Sequence, residues 1–139
     1  MKTIALDFRG YWREVNKEFV PSESGIYTVY ACTYNQQEKT VSIRKLLYIG
    51  ESEDVCERLQ NHERLIDWKR FLRPNETLCY SVATIGAADR VRAEAALIYH
   101  HKPPCNTEYI HSFPYERTRI TTSGRNALLS SDFTEPYLR

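Results

Sequence analysis

Two segments rich in β-branched and aromatic residues, Gly25-Ile26-Tyr27-Thr28-Val29-Tyr30-Ala31-Cys32 and Val41 to Ile49, flank the polar stretch Asn35-Gln36-Gln37-Glu38-Lys39. Such residues suit a pleated, half-buried surface, and a short polar break between them reads as the turn of a β-hairpin. The chain from there on must complete a sheet. Apolar residues at helical spacing, with Val55, Leu59 and Ile66 within about 40° of one another at 100° per residue, predict a helix from Ser52 to about Phe71. Thr77 to Ile85 reads as a further strand, and Gly86 to His101 as a helix stopped by Pro103 and Pro104, which can neither continue a helix nor donate its hydrogen bond. The order β, β, α, β, α fits an α+β domain in which helices cover a small sheet.

The outer segments are less regular. Tyr11, Val15 and Phe19 recur at helical spacing beside Trp12, which predicts a short helix packed on the body of the domain. After residue 106 the chain turns polar, with a strand expected at Arg117 to Thr121 and a turn at Ser123-Gly124. At 139 residues the chain suits one domain with a real core. Apolar runs of only a few residues exclude a spanning helix, and Met1-Lys2-Thr3-Ile4-Ala5-Leu6-Asp7 breaks too soon for a signal peptide, so an intracellular, cytoplasmic location and no membrane partner are expected. Cys32, Cys56, Cys79 and Cys105 form no close pair of the kind that zinc ribbons require and are expected as buried thiols. A net charge of +1 gives no global attraction for nucleic acid, so any such binding needs a local patch.

Two features carry chemistry. Glu94 projects within about 60° of Ala87, Val91, Leu97 and Ile98, toward a core, where an ionised carboxylate must be paired, hydrogen-bonded or metal-bound, or else take up a proton. It reads either as part of a functional site or as one half of a salt bridge to Arg90, although base before acid is the weaker order on a helix. On the first long helix, His62, Lys69 and Arg73 project within about 60° of Arg58. A helix running that far would line them up as a basic stripe able to follow a phosphate backbone, or as a solvated flank of snorkelling side chains.

Set in chain order, Gly25-Ile26-Tyr27 opens the first strand and Tyr48-Ile49-Gly50 ends the second. Arg58 and His62 follow on one helix, Glu94 on the next, and Asn106 after the paired prolines. This arrangement, from residue 25 to residue 106, resembles the GIY-YIG nuclease family. Either tripeptide alone is a weak signal. Both together, with an arginine ten residues after Tyr48, a histidine four beyond it and an asparagine twelve after Glu94, are specific. Glu51 and Ser52 stand where many members carry a basic residue after the second tripeptide, and the interval from Tyr27 to Tyr48 is longer than in the shortest members.

The resemblance implies a small three-stranded antiparallel sheet flanked by helices, spanning residues 24–106. Residues 1–23 become an N-terminal extension packed on it and residues 107–139 a C-terminal extension without an assigned role. It implies a metal-dependent endonuclease that hydrolyses DNA, duplex or branched, with Mg²⁺ or Mn²⁺ as cofactor. Tyr27 and Tyr48 would meet the scissile phosphate and the attacking water, and Arg58 would balance charge on the phosphoryl oxygens, as a forked cationic donor does. His62 would help to handle the proton, Glu94 would hold the metal, and Asn106 would support the site. Arg58, Lys69 and Arg73 are the expected nucleic-acid contacts. The alternative is a domain that kept the fold as a nucleic-acid-binding or protein-interaction module without cleavage.

Overall fold

The computed structural model describes residues 1–137. Six strands form one mixed sheet, with β1 at Lys2–Arg13, β2 at Gly25–Asn35, β3 at Thr40–Ser52, β4 at Thr77–Thr84, β5 at Thr118–Gly124 and β6 at Asp132–Glu135. Their order across the sheet is β3-β2-β4-β1-β5-β6. β1 and β5 run parallel, and every other neighbouring pair is antiparallel. Three helices accompany the sheet, α1 at Val55–Gln60, α2 at Leu65–Lys69 and α3 at Ala87–His101, together with a 3₁₀ segment at Glu14–Phe19.

The expectation of a small three-stranded antiparallel sheet flanked by helices is overturned. The sheet has twice that number of strands, it is mixed, and α3 is the one helix longer than two turns among the described residues. The difference lies in the outer segments. Residues 1–23 open with a twelve-residue strand rather than a helix, and Ile4, Leu6 and Phe8 are buried in alternation with exposed neighbours. That period of two, not the helical spacing of Tyr11, Val15 and Phe19, decides the backbone, and Val15 and Phe19 are left exposed. The strand near Arg117 is present as β5, pairing Lys2 with Thr118 through Phe8 with Gly124. Gly124 turns at φ +76° directly against Phe8, where a Cβ would come within 2.2 Å of the Phe8 carbonyl oxygen. The first and last parts of the chain are thus joined in one sheet. The last two positions of the 107–139 segment lie outside the described residues.

Apolar side chains from both faces of the sheet are buried. Ile26, Tyr30 and Cys32 pack with Leu97, Ile98 and Ile120, while Val29, Ala31 and Leu47 pack with Val55, Leu59 and Trp68. Fully burying a leucine or valine contributes about 1.5–3 kcal/mol, which anchors even a helix as short as α1. The Asp54 side chain caps α1 by accepting the Glu57 N–H at 3.1 Å.

The predicted helix from Ser52 to Phe71 is broken. α1 ends at Asn61, whose φ of −137° and ψ of 63° are not helical, and α2 begins only at Leu65. Asparagine competes with the backbone for hydrogen bonds and favours such an end. The break leaves Ile66 exposed, although its spacing matches Val55 and Leu59. By contrast α3 runs as its periodicity predicts, ending where Lys102 adopts a left-handed conformation before the two prolines. No helix is long and apolar enough to cross a membrane among the described residues.

Candidate active site

Strand register places the two tyrosines. Tyr27 pairs with Gly50 and Val29 with Tyr48, so Tyr27 and Tyr48 sit diagonally on one face of the β2–β3 ladder. Their rings lie 6.2 Å apart at 29°. Gly50 makes this possible, because a Cβ there would come within 2.3 Å of the Tyr27 ring and hydroxyl. The glycine closing the second tripeptide therefore gives room to the tyrosine closing the first. Asn106 secures the same stretch of β3: its Oδ1 accepts from the Ile49 N–H at 3.0 Å and its Nδ2 donates to the Ile49 carbonyl at 2.8 Å. Both bonds are buried and hold the edge strand between Tyr48 and Gly50.

Tyr27, Tyr48, Arg58, Glu94 and Asn106 line one cleft of about 280 Å³. His62 lies beneath it with its side chain fully buried, Nε2 at 2.8 Å from the Tyr27 hydroxyl. Its Nδ1 accepts the Arg64 N–H at 3.1 Å, which assigns the neutral ring its proton at Nε2. The ring therefore donates to the Tyr27 oxygen and leaves the phenolic proton for another acceptor. Burial, with help from Arg58, pushes the His62 pKa down to about 4. Burial likewise pushes the Tyr27 phenol well above its ordinary range, reinforced by Tyr48 and opposed by Arg58. The Tyr48 phenol is raised too, first by burial and then by Glu94.

Glu94 is only partly covered. Leu97 and Ile98 are buried beside it, but Ala87 and Val91 are exposed, so the carboxylate stands at the boundary of the core and faces the cleft. The expected alternative, a salt bridge to Arg90, is not formed. Arg90 turns instead to Glu51 and to Ser24 Oγ, at 2.8 Å from the latter. Desolvation, then the nearby charges of Glu51 and Glu108, raises the Glu94 pKa to about 8.

No group of three or more His, Cys, Asp or Glu side chains is arranged to hold a metal among the described residues. Of the four carboxylates lining the cleft, Glu51 and Glu63 are tied to arginines, while Glu94 and the more exposed Glu108 are in no ion pair among the described residues. One carboxylate completed by water suits Mg²⁺, which dehydrates reluctantly. A donor set centred on Glu94 would therefore suit Mg²⁺ or Mn²⁺ completed by water.

Residues that sequence reasoning missed complete the cleft. Glu63 binds the Arg58 guanidinium through both oxygens, each at 2.7 Å, and its own pKa is held down to about 2 by that bond. Trp68, fully buried, packs tilted at 46° to both rings, its centroid 4.4 Å from that of His62 and 5.3 Å from that of Tyr48. On a continuous helix Trp68 would project away from Val55, Leu59 and Ile66, so its spacing held no sign that it would wedge between these rings. The basic stripe does not exist: His62 is buried, Lys69 ends α2, and Arg73 lies in the following loop with its N–H on Glu76. Lys69 and Arg73 are exposed but do not line the cleft. No protein-family model matches the chain, nor does any curated protein or solved structure.

Proposed function

We propose that the chain is a metal-dependent endonuclease that hydrolyses DNA phosphodiester bonds in this cleft. The observation that carries the reading is the convergence of Tyr27, Tyr48, Arg58, Glu94 and Asn106, drawn from two strands, two helices and a loop, on one cavity, with His62 bonded to Tyr27 from below. Residues so far apart in sequence have no packing reason to share an opening.

Hydrolysis requires a deprotonated water, a counter-charge for the pentacovalent transition state and a proton for the leaving oxygen. Tyr27 receives the proton of the attacking water in this reading, and the Nε2–H of His62 stabilises the phenolate needed for that step by donating to the same oxygen. Tyr48, diagonal to it, donates from its hydroxyl to the phosphate. Arg58 exchanges the Glu63 carboxylate for the phosphoryl oxygens, to which its fork is equally suited. Asn106 positions Tyr48 through Ile49 rather than touching substrate. When bound at Glu94, a divalent cation supplies further counter-charge to the phosphate. The four free thiols fit a reducing, intracellular location.

Nicking of supercoiled plasmid is the direct test. Mg²⁺ or Mn²⁺ should convert it to open-circular and linear forms, and a chelator should stop the conversion. Purified, folded protein that leaves plasmid intact with either metal across pH 6–9 would reject the nuclease reading.

A further inference from the structure

A second cleft, of about 460 Å³, opens at the other end of the β2–β3 hairpin. β1 contributes Arg13 to it, the hairpin contributes Tyr34, Lys39 and Thr40, the 3₁₀ segment contributes Asn16, and Arg125 comes from the turn after β5. Tyr27 and Tyr34 are seven residues apart on one strand, about 23 Å at 3.3 Å per residue. The second cleft therefore shares no residue with the first and lies beyond the reach of any side chain there.

The two openings differ in charge. The candidate active site is lined by four carboxylates, Glu51, Glu63, Glu94 and Glu108, against two guanidinium groups, Arg58 and Arg64. Among the described residues Arg58, Arg64 and the adjacent Arg90 are all in ion pairs. A polyanion meets little attraction there. The distal cleft is lined by three cations and no carboxylate, and none of the three is in an ion pair among the described residues. Like charges gathered without counter-charges repel one another, and an anionic ligand removes that cost.

We infer that this distal cleft binds the phosphate backbone of duplex DNA and holds the substrate while a phosphate some distance along it enters the candidate active site. Backbone rather than base is indicated by the aromatic groups. The Arg13 guanidinium covers the Tyr34 ring at 3.6 Å from its centroid, closing that face to a stacking base, and Tyr11 is engaged edge-on with Tyr30 and through its hydroxyl with the Ala127 N–H. What remains free is charge and hydrogen-bond donors, the equipment for phosphate. At 3.4 Å per base pair, 23 Å corresponds to about seven steps of duplex. The inference takes the identity of its polyanion from the nuclease reading, but its test is a binding measurement and needs no cleavage.

The test uses the full chain, a fluorescently labelled 20-base-pair duplex and a chelating buffer, with affinity followed from 50 to 200 mM salt. Each phosphate contact contributes about 0.9 to the slope of log affinity against log salt, so Arg13→Gln, Lys39→Gln and Arg125→Gln together should flatten it by about 2.7. The triple variant then loses about 40-fold less affinity than the unmodified chain across that fourfold rise in salt. A variant carrying only Lys39→Gln and Arg125→Gln leaves the Arg13–Tyr34 stack in place and should flatten the slope by about 1.8, which guards against a folding defect. Removing three charges elsewhere, at Arg70, Arg117 and Arg119, should change the slope by less than one. Equal slopes for the triple variant and the unmodified chain, or an equal loss in the control, overturns the inference. So does inorganic phosphate displacing the duplex at equimolar phosphate, because that would mark a small-anion site. Intact plasmid in the nicking assay with these binding results preserved would instead reject the nuclease reading alone.

Discussion

The hydroxyl of Tyr27 stands 2.8 Å from Nε2 of His62, whose other nitrogen is already occupied by the Arg64 N–H. The histidine is therefore a donor to the tyrosine, not a base for it. With its pKa pushed down to about 4, it stays neutral throughout the physiological range.

This relationship predicts the pH dependence of cleavage. With His62 neutral above pH 6 and the Tyr27 phenol raised above its ordinary range, chiefly by burial, the phenolate population rises tenfold per unit. Single-turnover rates measured from pH 6 to 9 should climb about tenfold per unit without a plateau. Tyr27→Phe keeps the ring and should lower the rate by about 10²–10⁴-fold with little change in melting temperature. A profile flat above pH 6 would assign the base to His62, since a group with a pKa near 4 is fully deprotonated there.

The same histidine links stability to acid. Its folded pKa lies below the ordinary imidazole value of 6.5, so the unfolded chain takes up a proton first as pH falls. The contribution is complete above pH 6.5 and is lost as pH drops toward 4, at about 1.4 kcal/mol per unit at most. Urea titrations at pH 7 and pH 4.5 should show this loss for the unmodified chain and a smaller one for His62→Gln.

Legibility in the sequence followed the range of the interactions. The β2–β3 hairpin, β4 and α3 are set by local periodicity and by prolines, and they emerge where the spacing puts them. The pairing of Lys2–Phe8 with Thr118–Gly124 joins segments more than a hundred residues apart, and neither the alternation of Ile4, Leu6 and Phe8 nor the strand pattern near Arg117 names its partner, so the sheet's full width is not legible locally. Among the candidate site residues, Glu94 is conspicuous for a carboxylate on an apolar helical face and Arg58 and His62 for their shared helical flank, whereas Tyr27, Tyr48 and Asn106 stand out only through the motif spacing that carries the resemblance. The Glu63 carboxylate escaped notice because an acid near an arginine is ordinary on any helix, and only the break after Gln60 turns it back onto Arg58.

Glu63 holds the guanidinium that a phosphate would claim under the proposed nuclease reading. Exposed pairs contribute about 0.2–1 kcal/mol, so Glu63→Gln should tighten binding of duplex DNA by up to about fivefold at low salt, while Arg58→Ala should lower the cleavage rate far more than affinity. Fluorescence anisotropy and single-turnover cleavage separate the two. Weaker binding by Glu63→Gln would mean that Glu63 orients Arg58 rather than blocking it.

Asn106 should behave as a positioning residue. Asn106→Ala leaves the buried Ile49 N–H and carbonyl without partners, at about 1–3 kcal/mol each, and frees the edge strand that carries Tyr48. Thermal melting should fall, and cleavage by the still-folded fraction should fall with it. Asn106→Asp keeps the acceptor and loses the donor, and should lie between the two in both measurements.

Glu94 gives the sharpest opposition between stability and function. A carboxyl whose folded pKa is raised from 4.5 to about 8 stays protonated in the folded chain at pH values where the unfolded chain has lost its proton. Its contribution is complete below pH 4.5 and declines as pH rises to 8, the reverse of His62, so the two nearly cancel between pH 4.5 and 6.5 and Glu94 dominates above. Glu94→Gln retains the shape and removes the charge. In chelator at pH 8 it should raise stability by about 1–3 kcal/mol, a portion of the full linkage because the side chain stands at the edge of the core. The same substitution removes the carboxylate proposed to hold the metal and should abolish cleavage. Mg²⁺ should raise the melting temperature of the unmodified chain at pH 8 and leave that of Glu94→Gln unchanged. If Glu94→Gln cleaves plasmid at the unmodified rate, the metal belongs elsewhere. If it melts lower at pH 8 without metal, the carboxylate is held by contacts that outweigh its burial.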